Sequence, residues 1–330
     1  MRTPAFWYEA PGTLASVLAP VAGLYALGAG LKRRLNQPQR ATVPVICVGN
    51  LVAGGAGKTP VALALASLLE GHEVAFLTRG YGGSEAGPLR VEAYRHRADE
   101  VGDEALLLAR AATTWVSGDR VAGAKAASEA GAEIIIMDDG FQNPSLIKDF
   151  SVIVADGATG FGNGRLVPAG PLREPVAEGF ARADALVIIG EDKTSIAANL
   201  HPDFPVVGAR LAPTPEAEFV SGKRVVAIAG IGRPQKFFTT LQEMGCTLAA
   251  HHAFADHHRY TVPEIMNICV EAAALDAIVV TTEKDWVRLP AHTKSMVQTV
   301  PVTLEWRDED QMRALMAGVV TPLPSGEGLG

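Results

Sequence analysis

The feature that most restricts the possible folds of this sequence is a glycine-rich loop between an apolar run and the predicted start of a helix. Residues 45–48 read Val-Ile-Cys-Val, which is typical of a buried strand, and the loop that follows ends in Gly-Lys-Thr at residues 57–59. Glycines let consecutive backbone N–H groups turn towards one anion, and the positive end of the helix dipole attracts the same anion. This order of elements predicts a cradle for the phosphates of a nucleoside triphosphate.

The side chains at the end of the loop suit the same ligand. Lys58 can reach the β- and γ-phosphates, and Thr59 can bind Mg²⁺. We therefore expect the chain to hydrolyse a nucleoside triphosphate such as ATP, or to transfer a phosphoryl group from it. The predicted nucleotide-binding residues are Gly54, Gly55, Ala56, Gly57, Lys58, Thr59 and Pro60.

The loop is a variant of the usual pattern Gly-x-x-x-x-Gly-Lys-[Ser/Thr], because Val52 occupies the position of the first glycine. The alternative interpretation is a glycine-rich turn that only joins a strand to a helix. The Gly-Lys-Thr triplet falls where a helix should begin, and this favours the phosphate cradle.

A second apolar run, at residues 134–137, ends in two carboxylates, Asp138 and Asp139. Continuous apolar runs are typical of parallel strands covered on both faces, and ligands of such sheets bind beyond the carboxyl ends of the strands. We expect Asp138 and Asp139 to lie at that edge and to hold Mg²⁺ together with Thr59. The alternative is that Asp-Asp-Gly is only a turn.

Length and composition are those of a globular protein with room for two domains. The chain has 330 residues, of which 48% are hydrophobic and 20% charged, and these fractions exclude a disordered chain. A net charge of -7 argues against a nucleic-acid partner. The cysteines Cys47, Cys246 and Cys269 lack metal or redox spacing, which is typical of buried thiols in a reducing compartment.

The N-terminal segment is different in character. Residues 14–31 contain no charge, and Lys32, Arg33 and Arg34 follow them. Glycines, a proline and alanines weaken the hydrophobicity of this segment, while the basic residues would attract anionic headgroups. We expect residues 1–40 to form a helix that lies on or dips into a membrane without crossing it. The alternatives are a buried core helix and, less in keeping with the position of the basic residues, a signal peptide.

Strands and helices alternate along the rest of the chain, which predicts an α/β fold with a doubly wound sheet. The predicted strands are residues 73–78, 134–137, 151–155 and 185–189, and the predicted helices are residues 59–69 and 103–111. The pattern restarts after residue 215, with strands predicted at 223–230 and 277–281 and a helix at 235–244. The predicted domains are residues 41–215, which bind the nucleotide, a smaller α/β domain at 216–320, and a disordered tail at 321–330.

Several polar motifs are explained by neither the loop nor the core. They are Arg-Gly-Tyr-Gly at residues 79–82, Gly-Asp-Glu at 102–104, Asp-Asp-Gly-Phe-Gln at 138–142, Gly-Arg-Leu-Val-Pro-Ala-Gly-Pro-Leu-Arg-Glu at 164–174, Asp-His-His at 256–258 and Thr-Thr-Glu-Lys-Asp at 281–285. Together with the glycine-rich loop, and in this order, they resemble the tetraacyldisaccharide 4'-kinases, the lipid A 4'-kinases of Gram-negative bacteria. The resemblance covers residues 7–306.

The resemblance implies a P-loop kinase-type sheet and transfer of the ATP γ-phosphoryl group to the 4'-hydroxyl of a tetraacylated glucosamine disaccharide 1-phosphate, which yields lipid IVA. It implies that Asp103 accepts the hydroxyl proton with help from His257, with His258 as the fallback, while Asp138 and Asp139 organise Mg²⁺. It also implies docking of the N-terminal segment on the cytoplasmic face of the inner membrane. No obligate protein partner is evident from the sequence.

The resemblance gives a weaker basis for the residues that bind the lipid substrate. The residues assigned to it are Tyr81, Glu104, Gln142, Arg165 and Arg173, the arginines because guanidinium groups suit phosphate oxygens. The alternative for the arginines is structural: a stiff loop in which Arg173 pairs with Glu174 on the surface. Residues 282–285 either line the cleft or cap the helix beyond them.

Two other functions remain open at this stage. A membrane-associated P-loop ATPase that acts as a switch would carry a signature lysine at position 53, where this chain has Ala53. A kinase or ligase for a small molecule, with the N-terminal segment buried, would be active without lipid or detergent.

Overall fold

The computed structural model describes residues 4–320, apart from the side chains of residues 29, 32 and 34. The strands, in chain order, are β1 Val45–Gly49, β2 Val74–Thr78, β3 Leu89–Arg90, β4 Thr113–Val116, β5 Ile134–Asp138, β6 Phe150–Asp156, β7 Ala185–Ile189, β8 Val206–Pro213, β9 Arg224–Ala229, β10 Thr247–Ala253, β11 Ile278–Thr281, β12 Gln298–Thr299 and β13 Val302–Trp306. The helices are α1 Thr13–Leu35, α2 Lys58–Leu68, α3 Ala98–Val101, α4 Asp103–Leu108, α5 Arg120–Glu129, α6 Val176–Phe180, α7 Pro234–Glu243, α8 Val262–Ala274, α9 Glu283–Trp286 and α10 Glu309–Val320.

The larger sheet has nine strands in the order β13-β8-β7-β6-β1-β5-β2-β4-β3. The strands from β8 to β4 in that order are parallel to their neighbours, and only β13 and β3, at the edges, are antiparallel. The fold is therefore the predicted mixed α/β class with a large parallel sheet. The carboxyl ends of β1 and β5 lie side by side, with Val48 opposite Asp138, so the glycine-rich loop and the Asp-Asp pair meet at one edge of the sheet.

Alternate residues of each central strand enter different cores. In β5, Ile134 and Ile136 pack with side chains from α2 and α10, whereas Ile135 and Met137 pack with alanines of α5 on the other face. Because both faces are covered, these strands need apolar residues at every position, and this explains the continuous runs in the sequence. The helices thus fix the sheet from both sides and leave its carboxyl edge for polar residues.

The smaller sheet, β10-β9-β11-β12, is parallel throughout. Helix α7 contributes Phe237, Phe238 and Leu241 to the core on one face, and α8 contributes Ile265 and Ile268 to the core on the other. The sheet corresponds to the restart of the alternating pattern after residue 215.

The end of the described chain returns to the larger sheet. Strand β13 pairs with β8, and Leu304, Met312 and Met316 are buried in the larger core. The sequence predicted that residues 302–320 belong to the smaller domain. In the structure, the apolar side chains of β13 and α10 pack in the core of the larger sheet instead. The domain boundaries themselves stay a prediction, and the predicted disordered tail, residues 321–330, lies outside the described residues.

Helix α1 carries a row of exposed apolar side chains at helical spacing, namely Leu14, Val17, Val21, Leu24, Leu27, Leu31 and Leu35. Its small residues Ala15 and Ala22 are buried. Among residues 4–320, α1 included, we find no helix with the length and apolar content required to cross a membrane.

Helix α1 is held at its end by ion pairs. Arg33 Nη1 lies 3.0 Å from Glu174 Oε2, and Arg33 Nη2 lies 3.3 Å from Glu178 Oε2. Ahead of the helix, Trp7 Nε1 donates to the Pro168 carbonyl at 3.0 Å. The N-terminal segment is therefore fixed to the loop at residues 164–174.

Candidate active site

The glycine-rich loop joins β1 to α2 in the order that the sequence predicts. Gly57 has a φ of +87°, a backbone conformation that favours glycine. A Cβ atom there would lie 2.4 Å from Ile189 Cδ1, so the isoleucine side chain would have to move. Gly54 also has positive φ, and its carbonyl accepts a hydrogen bond from Asn50 Nδ2 at 3.2 Å. The first amides of α2 have no partners within the helix and can bind an anion.

Thr59, which follows this loop, and Asp138 form a buried hydrogen-bonded pair. Thr59 Oγ1 donates to Asp138 Oδ2 at 2.8 Å, while Asp138 Oδ1 is buried and has no hydrogen-bond partner. Burial and the charge of Glu104 raise the pKa of Asp138 to about 7, although Lys58 and the Thr59 hydroxyl oppose this shift. A buried acceptor without a partner is what a cation would satisfy.

The residues at this edge fit Mg²⁺ better than a metal held by protein alone. Within residues 4–320, no group of three or more His, Cys, Asp and Glu side chains could hold a metal ion. Mg²⁺ usually takes one or two protein ligands together with phosphate oxygens and water. Thr59 and Asp138 therefore fit an ion that arrives with a nucleotide.

Asp139 has a different environment from its neighbour. Its Oδ1 lies 2.9 Å from Arg173 Nη1 and 3.6 Å from Lys58 Nζ. Burial alone would raise the pKa of Asp139, but the charges of Lys58 and Arg173 outweigh it and hold the pKa below its ordinary value. Its φ of +54° is unusual for a residue other than glycine. The carboxylate of Asp139 is thus engaged by two cations. Its predicted role as a direct metal ligand stays a prediction.

Gln142 and Glu174 extend this cluster away from the loop. Gln142 Nε2 donates to the Asn50 carbonyl at 2.8 Å and to Glu174 Oε1 at 3.0 Å, and Arg173 Nη1 donates to Gln142 Oε1 at 3.3 Å. Glu174 is almost fully buried and pairs with Arg33 and Arg182. The alternative in which Arg173 pairs with Glu174 on the surface is therefore wrong.

Asp103 and His257 come together from the two sheets. Asp103 begins α4 beside the larger sheet, and His257 lies in the loop after β10 of the smaller sheet; His257 Nδ1 is 2.9 Å from Asp103 Oδ2. Gly102, before Asp103, has a φ of +88°, and a Cβ atom there would lie 2.6 Å from the Tyr81 carbonyl oxygen. The ring of the neighbouring His258 stacks instead on Phe254, with 4.6 Å between the two ring centroids.

Cations surround the Asp103 carboxylate. Arg288 Nε lies 3.4 Å from Asp103 Oδ2, and Lys284 Nζ lies 3.1 Å from Glu104 Oε1. Burial raises the pKa of Asp103, but the hydrogen bond with His257 and the charges of Lys284 and Arg288 outweigh it, so that the pKa lies below its ordinary value. Asp103 is thus ionised at neutral pH.

The remaining predicted substrate residues have fewer contacts. Tyr81 is 66% exposed, and its ring centroid lies 5.4 Å from that of His257. Arg165 is half-buried in the loop that contacts Trp7, where its backbone N–H donates to Asn163 Oδ1 at 3.1 Å. Their roles in substrate binding stay predictions, as does that of Glu104, which faces Lys284.

The two halves of the site also approach each other at the glycine-rich loop. A Cβ atom on Gly232, in the loop after β9, would lie 3.6 Å from Gly55 N and 3.5 Å from Asp256 Oδ2. Asp156, at the end of β6, pairs with Arg233 at 2.8 Å and with Lys236 of α7. The smaller sheet therefore closes one side of the predicted phosphate site.

Sequence reasoning missed Arg288 and Arg120, and it predicted that Arg33 attracts anionic headgroups, whereas Arg33 pairs with Glu174 and Glu178. Arg120 is buried, and burial together with the nearby charge of Arg79 lowers its pKa to about 10, although Asp139 and Asp138 oppose this shift. Arg288 lies three residues after the polar motif at residues 281–285, so its position could have been noted, whereas nothing in the sequence around Arg33 indicates its partner.

Comparisons with known proteins agree with this architecture and with the motifs. The family model described as tetraacyldisaccharide-1-P 4'-kinase matches residues 14–321. This chain belongs to that family. A tetraacyldisaccharide 4'-kinase of Rhodospirillum centenum is 52% identical over 99% of this chain and 98% of that protein, and one of Paramagnetospirillum magneticum is 52% identical over 93% and 95%.

A solved relative extends the comparison to the fold. The structure of LpxK from Aquifex aeolicus, determined in complex with ATP, superposes with a TM-score of 0.76 at 28% identity and covers 93% of this chain and all of that one. Membership of the kinase family disfavours the ATPase switch considered from the sequence.

We expect Asp138→Asn to raise the Mg²⁺ concentration needed for tight ATP binding by about tenfold or more, because it removes a charge from the metal site. Calorimetric titration with ATP at several Mg²⁺ concentrations measures this. Asp119→Asn is the matched control, since Asp119 caps α5 and asparagine caps helices equally well. An unchanged Mg²⁺ dependence in Asp138→Asn and also in Asp139→Asn would contradict the metal role of the Asp-Asp pair and favour the alternative that it is only a turn.

Proposed function

We propose that this chain transfers the γ-phosphoryl group of ATP to the 4'-hydroxyl of a tetraacylated glucosamine disaccharide 1-phosphate and so makes lipid IVA, a precursor of lipid A. The family name supplies the acceptor, and the Aquifex aeolicus relative was solved with ATP. The observation that carries the proposal in this chain is the 2.9 Å contact between Asp103 and His257. It provides a proton acceptor beside the glycine-rich loop.

Phosphoryl transfer requires alignment and charge neutralisation more than covalent participation by the protein. Lys58 and the loop amides bind the phosphates. With Asp103 ionised, His257 Nδ1 is the donor in their hydrogen bond, and the pair can accept one proton from the sugar hydroxyl. Removal of that proton makes the hydroxyl oxygen a better nucleophile towards the γ-phosphorus.

Thr59 and Asp138 would hold Mg²⁺ near the phosphates. The ion would neutralise charge on the phosphoryl oxygens as they separate from the leaving group. Asp139 pairs with Lys58 and with Arg173, and it thereby orients the lysine. Arg173 and Tyr81 are the side chains that we assign to the acceptor.

We infer that the kinase works at the cytoplasmic face of the inner membrane, with α1 lying on the bilayer surface. The exposed apolar row of α1, which includes Leu24 and Leu27 at 70% and 71% exposure, supports this location. Lys32 and Arg34 favour an anionic leaflet, whereas the charge of Arg33 is paired with Glu174 and Glu178. The acceptor is itself a membrane lipid, so α1 and the acceptor can bring the protein to the membrane without a protein partner.

The decisive test is transfer of label from γ-³²P-ATP to a detergent-dispersed tetraacyl disaccharide 1-phosphate in the presence of Mg²⁺. We expect label in the lipid with the wild-type chain and a rate lower by several orders of magnitude with Lys58→Ala, because the lysine charge is lost from the transferring group. An acceptor without a free 4'-hydroxyl is the control. Release of phosphate to water without labelled lipid would support the ATPase alternative.

The proposed base gives a second prediction. Asp103→Ala should lower kcat by about 100-fold or more with little change in ATP affinity, and His257→Ala should act likewise. His258→Ala is the matched control and should be much milder, because His258 stacks on Phe254. The double variant should lose little more than either single variant. Multiplication of the two single effects would mean that the residues act independently.

The membrane location gives a third prediction. Deletion of residues 1–31, which keeps Arg33, should release the protein from vesicles that contain anionic lipid and weaken lipid-substrate use far more than ATP binding. Leu24→Asp should do the same in part, since it places a charge on the exposed apolar row. Val270→Asp on α8, where Val270 is 66% exposed, is the matched control and should stay bound.

The topology of α1 can be decided separately. A cysteine placed at Arg2 should react with an impermeant reagent only from the cytoplasmic side of inner-membrane vesicles. Reaction only from the periplasmic side would identify a true membrane span and overturn the surface location.

A further inference from the structure

Arg288 connects more parts of the candidate active site than its position in the sequence suggests. Its side chain is 5% exposed. Nε lies 3.4 Å from Asp103 Oδ2, Nη2 donates to the Gly230 carbonyl at 2.9 Å, and Nη1 donates to the His258 carbonyl at 3.2 Å. One guanidinium group therefore touches the start of α4, the loop after β9 and the loop that carries His257.

Asp285 fixes the orientation of that guanidinium group. It is fully buried and accepts from Arg288 Nη2 at 2.7 Å. The same carboxylate accepts from Gly230 N at 2.8 Å and from the Tyr260 hydroxyl at 2.7 Å. Because these contacts come from separate loops, the arginine has little freedom to turn away from Asp103.

We propose that Arg288 is a positioning residue for phosphoryl transfer: it holds the Asp103 carboxylate and the His257 loop in one arrangement, and it keeps Asp103 ionised. This inference rests on the proposed function, in which Asp103 and His257 accept the proton. Arginine is suited to the role because its planar fork makes several hydrogen bonds at fixed angles, which a lysine cannot reproduce.

The charges around Asp103 explain why Arg288 matters for ionisation. His257, Lys284 and Arg288 are the cationic or proton-donating groups that face Asp103, and Glu104 on its own helix and Asp256 beside His257 oppose them. Lys284 is already engaged by Glu104. Loss of the Arg288 charge would therefore favour the protonated, neutral form of Asp103 and raise its pKa.

The test uses three variants that separate the charge of Arg288 from its geometry. Arg288→Lys keeps the charge but loses the fork. Asp285→Asn keeps Arg288 and removes its buried partner charge. The double variant Asp285→Asn/Arg288→Met removes both charges, so that no buried carboxylate is left without a cation. Thermal unfolding and ATP binding of each variant are measured first.

The expected readout is the pH dependence of kcat. Activity falls as the pH drops through the pKa of the Asp103–His257 pair, because the base becomes protonated. In the double variant this fall should begin about one pH unit higher than in the wild type, with ATP KM changed by less than about twofold. In Arg288→Lys and Asp285→Asn the acid limb should stay in place, while Arg288→Lys should lose about tenfold in kcat through misalignment.

An unchanged acid limb in the double variant, or a wild-type kcat in Arg288→Lys, would overturn the proposal. So would a rise in ATP KM that accounts for the whole loss of activity. NMR titration of the Asp103 side-chain carboxyl carbon, assigned with Asp103→Asn, measures the same pKa without substrate and should give a higher value in the double variant. If the proposed function failed, the wild type itself would not label the lipid, and the NMR result would still decide whether Arg288 controls Asp103.

Discussion

Compensation of buried carboxylates by fixed cations is the constraint on which this site depends. Asp138 and Asp139 lie at the end of β5, Asp103 begins α4, and burial raises the pKa of each of these three carboxylates. At Asp103 the hydrogen bond with His257 and nearby cations outweigh the effect of burial, and at Asp139 the charges of Lys58 and Arg173 do so. Asp138 has no ion-pair partner of its own within the described residues, and its pKa rises to about 7. Asp138, which lies beside Thr59, is therefore the carboxylate at which we propose that a divalent cation binds.

The same principle explains why the site needs both sheets. The larger sheet supplies the glycine-rich loop and the carboxylates, but the groups that hold Asp103 in its ionised state, His257, Lys284 and Arg288, all follow strands of the smaller sheet. Asp156 pairs in turn with Arg233 and Lys236. Acidic groups of the larger sheet are thus matched by basic groups of the smaller one, so that the packing of the two sheets also determines the charges around the Asp103–His257 pair.

Sequence alone predicted the parts of the fold that depend on local signals. The loop up to Thr59, the buried strand Ile134–Asp138 and the helix start at Asp103 were predicted within a residue or two, because apolar continuity and glycine spacing determine them. The sequence did not predict the return of β13 to the larger sheet, because an edge strand with mixed polarity could pair with either sheet. The partners of Glu174 were not predicted either. Arg33 is 141 residues away in the chain, and no local pattern encodes an ion pair at that separation.

That distant ion pair gives the N-terminal helix a physical connection to the predicted phosphate site. Arg33 contacts Glu174, Glu174 accepts from Gln142, Gln142 accepts from Arg173, and Arg173 contacts Asp139, which also faces Lys58. Each contact is between a charged group and a charged or amide group in a partly buried environment, where such interactions are stronger than on the surface. A helix that only tethered the protein would need no such series of contacts. The orientation of α1 and the position of the Asp139 carboxylate are therefore linked through the side chains of Glu174, Gln142 and Arg173.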